Sequence, residues 1–136
     1  MTKTEGEIVI KDPNKAKKQF FSDYKNLLTC IPGVKEINGN SFKAYVKFSF
    51  LTIEINGTVK KHEINGDNID TLITIEGPGI IANINTLLTI LGNKIKWSSN
   101  YEVGGPLANS LKKHIGSQAE EISKQIIECS VGKINQ

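Results

Sequence analysis

The chain has 136 residues, of which 38% are apolar and 23% are charged, and its net charge is +3 at pH 7. This composition predicts one soluble globular domain over residues 1–136 and excludes a spanning helix, since no apolar run approaches the ~20 residues that such a helix needs. All 17 basic residues are lysine, and because arginine is the usual bidentate reader of guanine and phosphate, nucleic-acid recognition is not expected.

The N-terminal part predicts one strand and two short helices. The strand covers residues 5–10. Asp12-Pro13 predicts the start of a helix, with Asp12 as the N-cap and Pro13 in the first helical position. Ala16 and Phe20 lie on the face of this helix that is expected to point inward. Ser22-Asp23 then predicts a second short helix that ends before Pro32-Gly33.

Six further strands follow, separated by short turns of the kind that connect antiparallel neighbours. The turns contain Asn38-Gly39, Asn65-Gly66, Gly77-Pro78-Gly79 and Gly92-Asn93. Gly57 stands inside a strand, which predicts a bulge or a close approach of two backbones. The predicted strands are 34–38, 41–50, 52–61, 68–77, 80–91 and 94–103.

One face of these strands is almost entirely apolar. Its polar exceptions are the hydroxyl groups of Thr71, Thr86, Ser99 and Tyr101. Acid–base or metal chemistry inside the sheet would need inward carboxylates, histidines or thiolates. The pattern therefore predicts no catalytic residue and favours a protein that encloses an apolar ligand.

After Gly104-Gly105-Pro106 the apolar period changes from two to about 3.6, which predicts one long amphipathic helix from Leu107 to Cys129. A helix of this length spans roughly 36 Å and can cross a curved sheet. The predicted fold is α+β: a curved antiparallel sheet of about seven strands, wrapped around the C-terminal helix, with two short helices after the first strand.

Isolated cysteines and histidines predict no metal site and no cofactor. Cys30 and Cys129 lie far apart without metal-ligand spacing, and each is expected to be a small buried side chain and not part of a disulfide bond. His62 and His114 are expected on the surface.

Residues 1–7 do not resemble a signal peptide, so a cytoplasmic location is predicted. The lysines of residues 11–18 form either a solvated face or a patch that weakly attracts an acidic partner or an anionic surface such as that of the inner membrane.

Two motifs resemble the CoxG family of carbon monoxide dehydrogenase subunits. They are Leu28-Thr29-Cys30-Ile31-Pro32-Gly33-Val34, after the two short helices, and Tyr101-Glu102-Val103-Gly104-Gly105-Pro106-Leu107-Ala108, before the last helix. The resemblance implies the helix-grip fold of the START-like (SRPBCC) superfamily, with a hydrophobic cavity between sheet and helix. It further implies association with a molybdenum-containing carbon monoxide dehydrogenase and with the membrane or the quinone pool.

The predicted ligand is an apolar small molecule, either a lipid or a quinone-like compound. The residues predicted to line its cavity are Phe42, Val46, Phe48, Phe50, Ile55, Ile73, Ala82, Ile84, Leu88, Trp97, Tyr101, Leu111 and Ile115. The motif residues at its mouth, which also fit rigid corners of the chain, are Pro32, Gly33, Gly104, Gly105 and Pro106.

Two alternatives remain open from the residues. A filled core has the same pattern as a lined cavity, so the chain could be an interaction module without a ligand. A START-like cyclase or dehydratase would have to act through Tyr101 and the hydroxyl groups. Cavity volume separates the first alternative from a carrier, because small-molecule sites typically exceed about 300 Å³.

Overall fold

Seven strands and a long C-terminal helix make up most of the chain. The computed structural model describes residues 2–48, 51–110 and 112–135, and for residues 2, 4, 17, 18, 48 and 112–119 the backbone alone. In chain order the elements are β1 Thr2–Val9, α1 Pro13–Lys15 with a π-helical turn over Ala16–Phe20, α2 Tyr24–Leu28, β2 Val34–Asn38, β3 Ser41–Phe48, β4 Leu51–Asn65, β5 Asn68–Gly77, β6 Ile80–Leu91, β7 Lys94–Gly104, α3 Pro106–Ser110 and α4 Lys112–Ile134.

The strands form one antiparallel sheet in the order β1-β7-β6-β5-β4-β3-β2. Strands β2 to β7 are a meander, because each pairs with its neighbour in the chain, while β1 joins the sheet through β7. The two edge strands are therefore β1 and β2, and the short helices that connect them cross from one edge to the other. With α4 packed against the curved sheet, this is the predicted helix-grip fold.

Asp12 caps the first short helix as predicted, and Asp23, at the predicted start of the second helix, is its N-cap. The Asp12 carboxylate accepts a hydrogen bond from the backbone N–H of Lys15 at 3.1 Å, and the Asp23 carboxylate accepts one from the N–H of Lys25 at 2.9 Å. Ala16 and Phe20 are buried. The π-helical turn between the helices was not predicted, since the apolar spacing fits an ordinary helical turn.

Gly57 marks a close approach, but it is the approach of a side chain and not, as was predicted, of a second backbone. It lies directly opposite Phe42 on β3, and a Cβ atom at Gly57 would collide with the Phe42 ring. The irregularity of β4 lies elsewhere, between Val59 and Lys61, where its register with β5 shifts. Because side chains alternate along a strand, one extra residue here exchanges the faces of the residues that follow.

The buried side chains form two apolar clusters. The first joins the end of α4 to the π-helical turn and to the ends of β6 and β7 near their shared turn, and it includes Phe21, Ile69, Ile95 and Ile134. The second lies under β3 and β4 and includes Leu28, Phe42, Ala44 and Ile55.

A disulfide bond joins Cys30 to Cys129, so the prediction of two separate thiols was wrong. The Cα atoms are 5.6 Å apart, although the two residues are 99 positions apart in the chain. Spacing could not reveal this pair, because it depends on how α2 packs against α4.

Helix α4 also extends past the predicted end at Cys129 to Ile134, with Val131 and Ile134 buried. Within the described residues, no helix is long and apolar enough to cross a membrane.

Candidate functional site

A cavity of about 180 Å³ lies between the concave face of the sheet, α2 and α4. Its walls come from both apolar clusters, with Trp97 and Leu88 from the first and Phe42 and Ile55 from the second. The predicted lining residues that the structure places on its wall are Phe42, Val46, Ile55, Ile73, Ala82, Ile84, Leu88, Trp97 and Tyr101. Contact of these residues with a ligand stays a prediction.

Some of the predicted lining lies outside the described part of the chain. Phe50 and Leu111 are outside the described residues, and so are the side chains of Phe48 and Ile115. The side chain of His114 is also outside the described residues, so its predicted exposure is not described.

Two parts of the wall were missed from the sequence. Leu27 and Ile31 come from α2 and the segment after it, and Ile126 and Ser123 come from α4. The apolar residues around the first family motif could have predicted that the segment around α2 forms part of the cavity wall. On α4, Ile126 belongs to the predicted apolar stripe, but a stripe does not separate residues that face a cavity from residues that fill a core.

Of the predicted mouth residues, Pro32 lines the cavity and the other four do not. Gly33 has φ of +76°, and its carbonyl accepts a hydrogen bond from the Tyr45 N–H at 3.0 Å. Gly105 has φ of +99°, and a Cβ atom there would collide with the backbone of Gly79. Both positions favour glycine because side chains disfavour positive φ. In this structure Gly33, Gly104, Gly105 and Pro106 belong to backbone corners.

Three hydroxyl groups line the cavity side by side. Thr71 on β5 lies opposite Thr86 on β6, which lies opposite Ser99 on β7. Thr71 and Ser99 are buried, with 5% and 3% of their surfaces exposed. The hydroxyls of Thr86 and Ser99 are 2.9 Å apart and form a hydrogen bond. We call these three residues the hydroxyl row.

His62 is attached to this row, so the prediction of an isolated surface histidine was wrong. It is half-buried and lies opposite Thr71, because the register shift in β4 turns it to the inner face. Its Nε2 is 2.7 Å from the Phe21 carbonyl oxygen, and its Nδ1 is 2.8 Å from the Thr71 hydroxyl. A carbonyl only accepts, so Nε2 carries a proton, and in the neutral ring Nδ1 accepts from Thr71.

Charged side chains pair outside the cavity. The Asp70 carboxylate bonds the Lys61 ammonium at 3.0 Å, and this hydrogen bond and its charge raise the pKa of Lys61. The hydrogen bond to the Tyr45 hydroxyl raises the pKa of Lys35 in the same way. Among the described residues, no group of three His, Cys, Asp or Glu side chains could hold a metal ion.

The comparisons with known proteins agree with the motif resemblance. A family model for CoxG subunits of carbon monoxide dehydrogenase matches residues 6–135. A search of curated proteins found no significant match.

Solved structures share the fold at low sequence identity. A conserved protein from Geobacillus kaustophilus is 17% identical with a TM-score of 0.74, over 98% of this chain and 95% of that chain. The Zhui aromatase/cyclase from a Streptomyces species is 8% identical with a TM-score of 0.62, over 98% and 93%. Ara h 8.0201 is 19% identical with a TM-score of 0.56, over 98% and 97%. These likenesses concern the helix-grip architecture alone.

Proposed function

The chain belongs to the CoxG family of carbon monoxide dehydrogenase subunits, and on that premise we propose that it binds a lipid or quinone-like molecule as an accessory to a redox enzyme. The enzyme would be a molybdenum-containing carbon monoxide dehydrogenase or a related dehydrogenase. The observation that carries the proposal is the apolar cavity of about 180 Å³ between the sheet and α4.

The cavity volume sets the size of what can enter. A cavity of about 150 Å³ with apolar walls is large enough for benzene, whereas drug-sized ligands occupy about 300 Å³ or more. The ligand is therefore a single-ring molecule, or a longer molecule that places only one ring or chain end inside. A quinone-like compound with a long tail would insert its head and leave the tail outside.

We propose that the protein holds this molecule without transforming it. The described polar side-chain groups on the wall are the hydroxyls of the hydroxyl row, of Ser123 and of Tyr101, together with the indole N–H of Trp97, which only donates. A neutral hydroxyl group is a weak base and therefore a poor proton acceptor for catalysis. His62 bonds Thr71 from the neighbouring strand β4 and is not itself part of the described wall.

The disulfide bond bears on where the protein works. Such bonds persist in oxidising compartments and in the cytoplasm of hyperthermophiles. A cytoplasmic location, with peripheral contact at the inner membrane surface, stays a prediction, and it requires the Cys30–Cys129 bond to survive there. Trapping thiols with a maleimide during rapid lysis would show whether the bond is present in the cell.

Native mass spectrometry tests the ligand directly. The protein is purified under mild conditions, its mass is compared with that of the bare chain, and any bound molecule is extracted into organic solvent and identified. A stoichiometric apolar molecule is expected. The matched variants are Ala82→Trp, which fills the cavity from a buried wall position, and Asn83→Trp, which adds the same bulk on the exposed face of the same strand.

Ala82→Trp should lose the bound molecule, while Asn83→Trp should keep it. Ala82→Phe serves as a smaller filling if the tryptophan variant does not fold. Retention of the molecule in a folded filling variant would contradict binding in this cavity. Partner association is tested separately, by measuring binding of the ligand-loaded protein to a purified molybdenum-containing carbon monoxide dehydrogenase.

The second candidate is an interaction module without a ligand, and the small cavity volume favours it. A void of about 180 Å³ is below the usual range of small-molecule sites. Such a module would act through its surface, where Val9 and Leu91 are 57% and 53% exposed on either side of Lys94. A bare mass, together with no uptake of a small hydrocarbon such as toluene, would select this candidate.

A further inference from the structure

The hydroxyl row divides the cavity wall into apolar layers. On one side of the row, two residues away along each strand, Leu88 on β6 lies opposite Trp97 on β7. On the other side, also two residues away, Ile84 lies opposite Tyr101. Since successive residues of a strand are about 3.3 Å apart, each layer lies roughly 6.6 Å from the row. The row is therefore a polar belt between two layers of large, mainly apolar side chains.

The hydrogen bonds of the row leave one donor unused. With a neutral His62 ring, Thr71 gives its proton to His62, so its oxygen keeps only its capacity to accept. Thr86 and Ser99 have two hydroxyl protons but share one hydrogen bond. Among the described residues, the second proton of this pair has no acceptor. A buried hydroxyl without a partner is unfavourable, so a bound oxygen atom at this position would be favoured.

We propose that the hydroxyl row is a subsite for one oxygen atom of the ligand, which is a ring-sized apolar molecule bearing a hydroxyl or a carbonyl group. The inference rests on the proposed binding function and specifies its ligand. The spare proton of the Thr86–Ser99 pair is donated to the ligand oxygen. A ligand hydroxyl in addition donates its own proton to the Thr71 oxygen, which completes the hydrogen bonds of the row.

Phenol and toluene are matched probes, because they differ mainly in a hydroxyl in place of a methyl group. Their affinities for the full chain are measured by NMR titration, and the ratio of the two dissociation constants is compared between variants. The double variant Thr86→Val/Ser99→Ala removes the donor with little change of shape. Thr74→Val is the control, because Thr74 lies on β5 and bonds Asn83 outside the cavity.

The double variant should reduce the preference for phenol over toluene by about 3- to 10-fold, as expected for one hydrogen bond. Thr74→Val should leave the ratio unchanged. If toluene and phenol both bind but the double variant keeps the wild-type ratio, the subsite is refuted while the binding function stands. If neither probe binds the wild-type chain, the binding function fails and the subsite fails with it. A single variant, Thr86→Val, provides the same comparison if the double variant does not fold.

Discussion

Breaking the Cys30–Cys129 bond should strongly destabilise the protein. The bond closes a loop across 99 positions of the chain, and in the chain-entropy treatment a loop of about 100 residues contributes about 4.7 kcal/mol at 25 °C. This is a large part of the ~5–15 kcal/mol that separates typical folded and unfolded states. With an unfolding entropy of about 2.1 cal/mol/K per residue, the melting temperature should fall by roughly 16 °C.

Urea unfolding of the oxidised and the dithiothreitol-reduced protein measures this difference on the same sequence. The midpoint should be higher for the oxidised form, and its m-value should be lower, because a cross-linked unfolded chain exposes less surface. The variant Cys30→Ala/Cys129→Ala is the control, since it should behave like the reduced protein and should not respond to dithiothreitol.

Two results would refute this reasoning. Two free thiols in the native, non-reduced protein would mean that the bond does not form. Equal midpoints for the oxidised and reduced forms, with the bond shown to be present, would mean that the cross-link does not constrain the unfolded chain as the loop length implies.

Two further changes test local contacts. Gly57→Ala should lower the free energy of unfolding by about 1–3 kcal/mol, because the added methyl group overlaps the Phe42 ring; a thermal melt that matches the wild type would contradict this contact. His62→Leu should cost about 1–3 kcal/mol in urea unfolding, because the Phe21 carbonyl and the Thr71 hydroxyl both lose a partner. An unchanged midpoint for His62→Leu would show that water replaces the imidazole at no cost.

Sequence patterns predicted most of the sheet correctly, because turn chemistry and side-chain alternation act locally. The strands Asn68–Gly77 and Ile80–Leu91 have the predicted bounds, and each is flanked by a turn that contains a glycine with positive φ. Strand β4 was predicted too short, since its alternation breaks at Lys60. The same break concealed His62, whose side chain faces inward only because the register shifts there.

The site was less predictable than the sheet, because it depends on contacts between distant segments. The Cys30–Cys129 bond and the α2 side of the cavity both result from packing against α4. The inward direction of Thr71, Thr86 and Ser99 followed from alternation, but their hydrogen bonds to one another and to His62 did not. Cavity volume is set by the residual space between side chains, which the order of residues along a strand does not determine.

The position of β1 beside β7 constrains the order of events during synthesis. Strand β1 emerges from the ribosome first, but its partner β7 follows about 90 residues later, which at typical rates is roughly 5 to 20 s. The meander β2 to β7 can pair hairpin by hairpin in that time, whereas β1 cannot pair before β7 is made. Trp97, the single tryptophan of the chain, lies opposite Gly6 on β1, where a Cβ atom would contact its ring. Its fluorescence is therefore expected to report the pairing of β1 with β7.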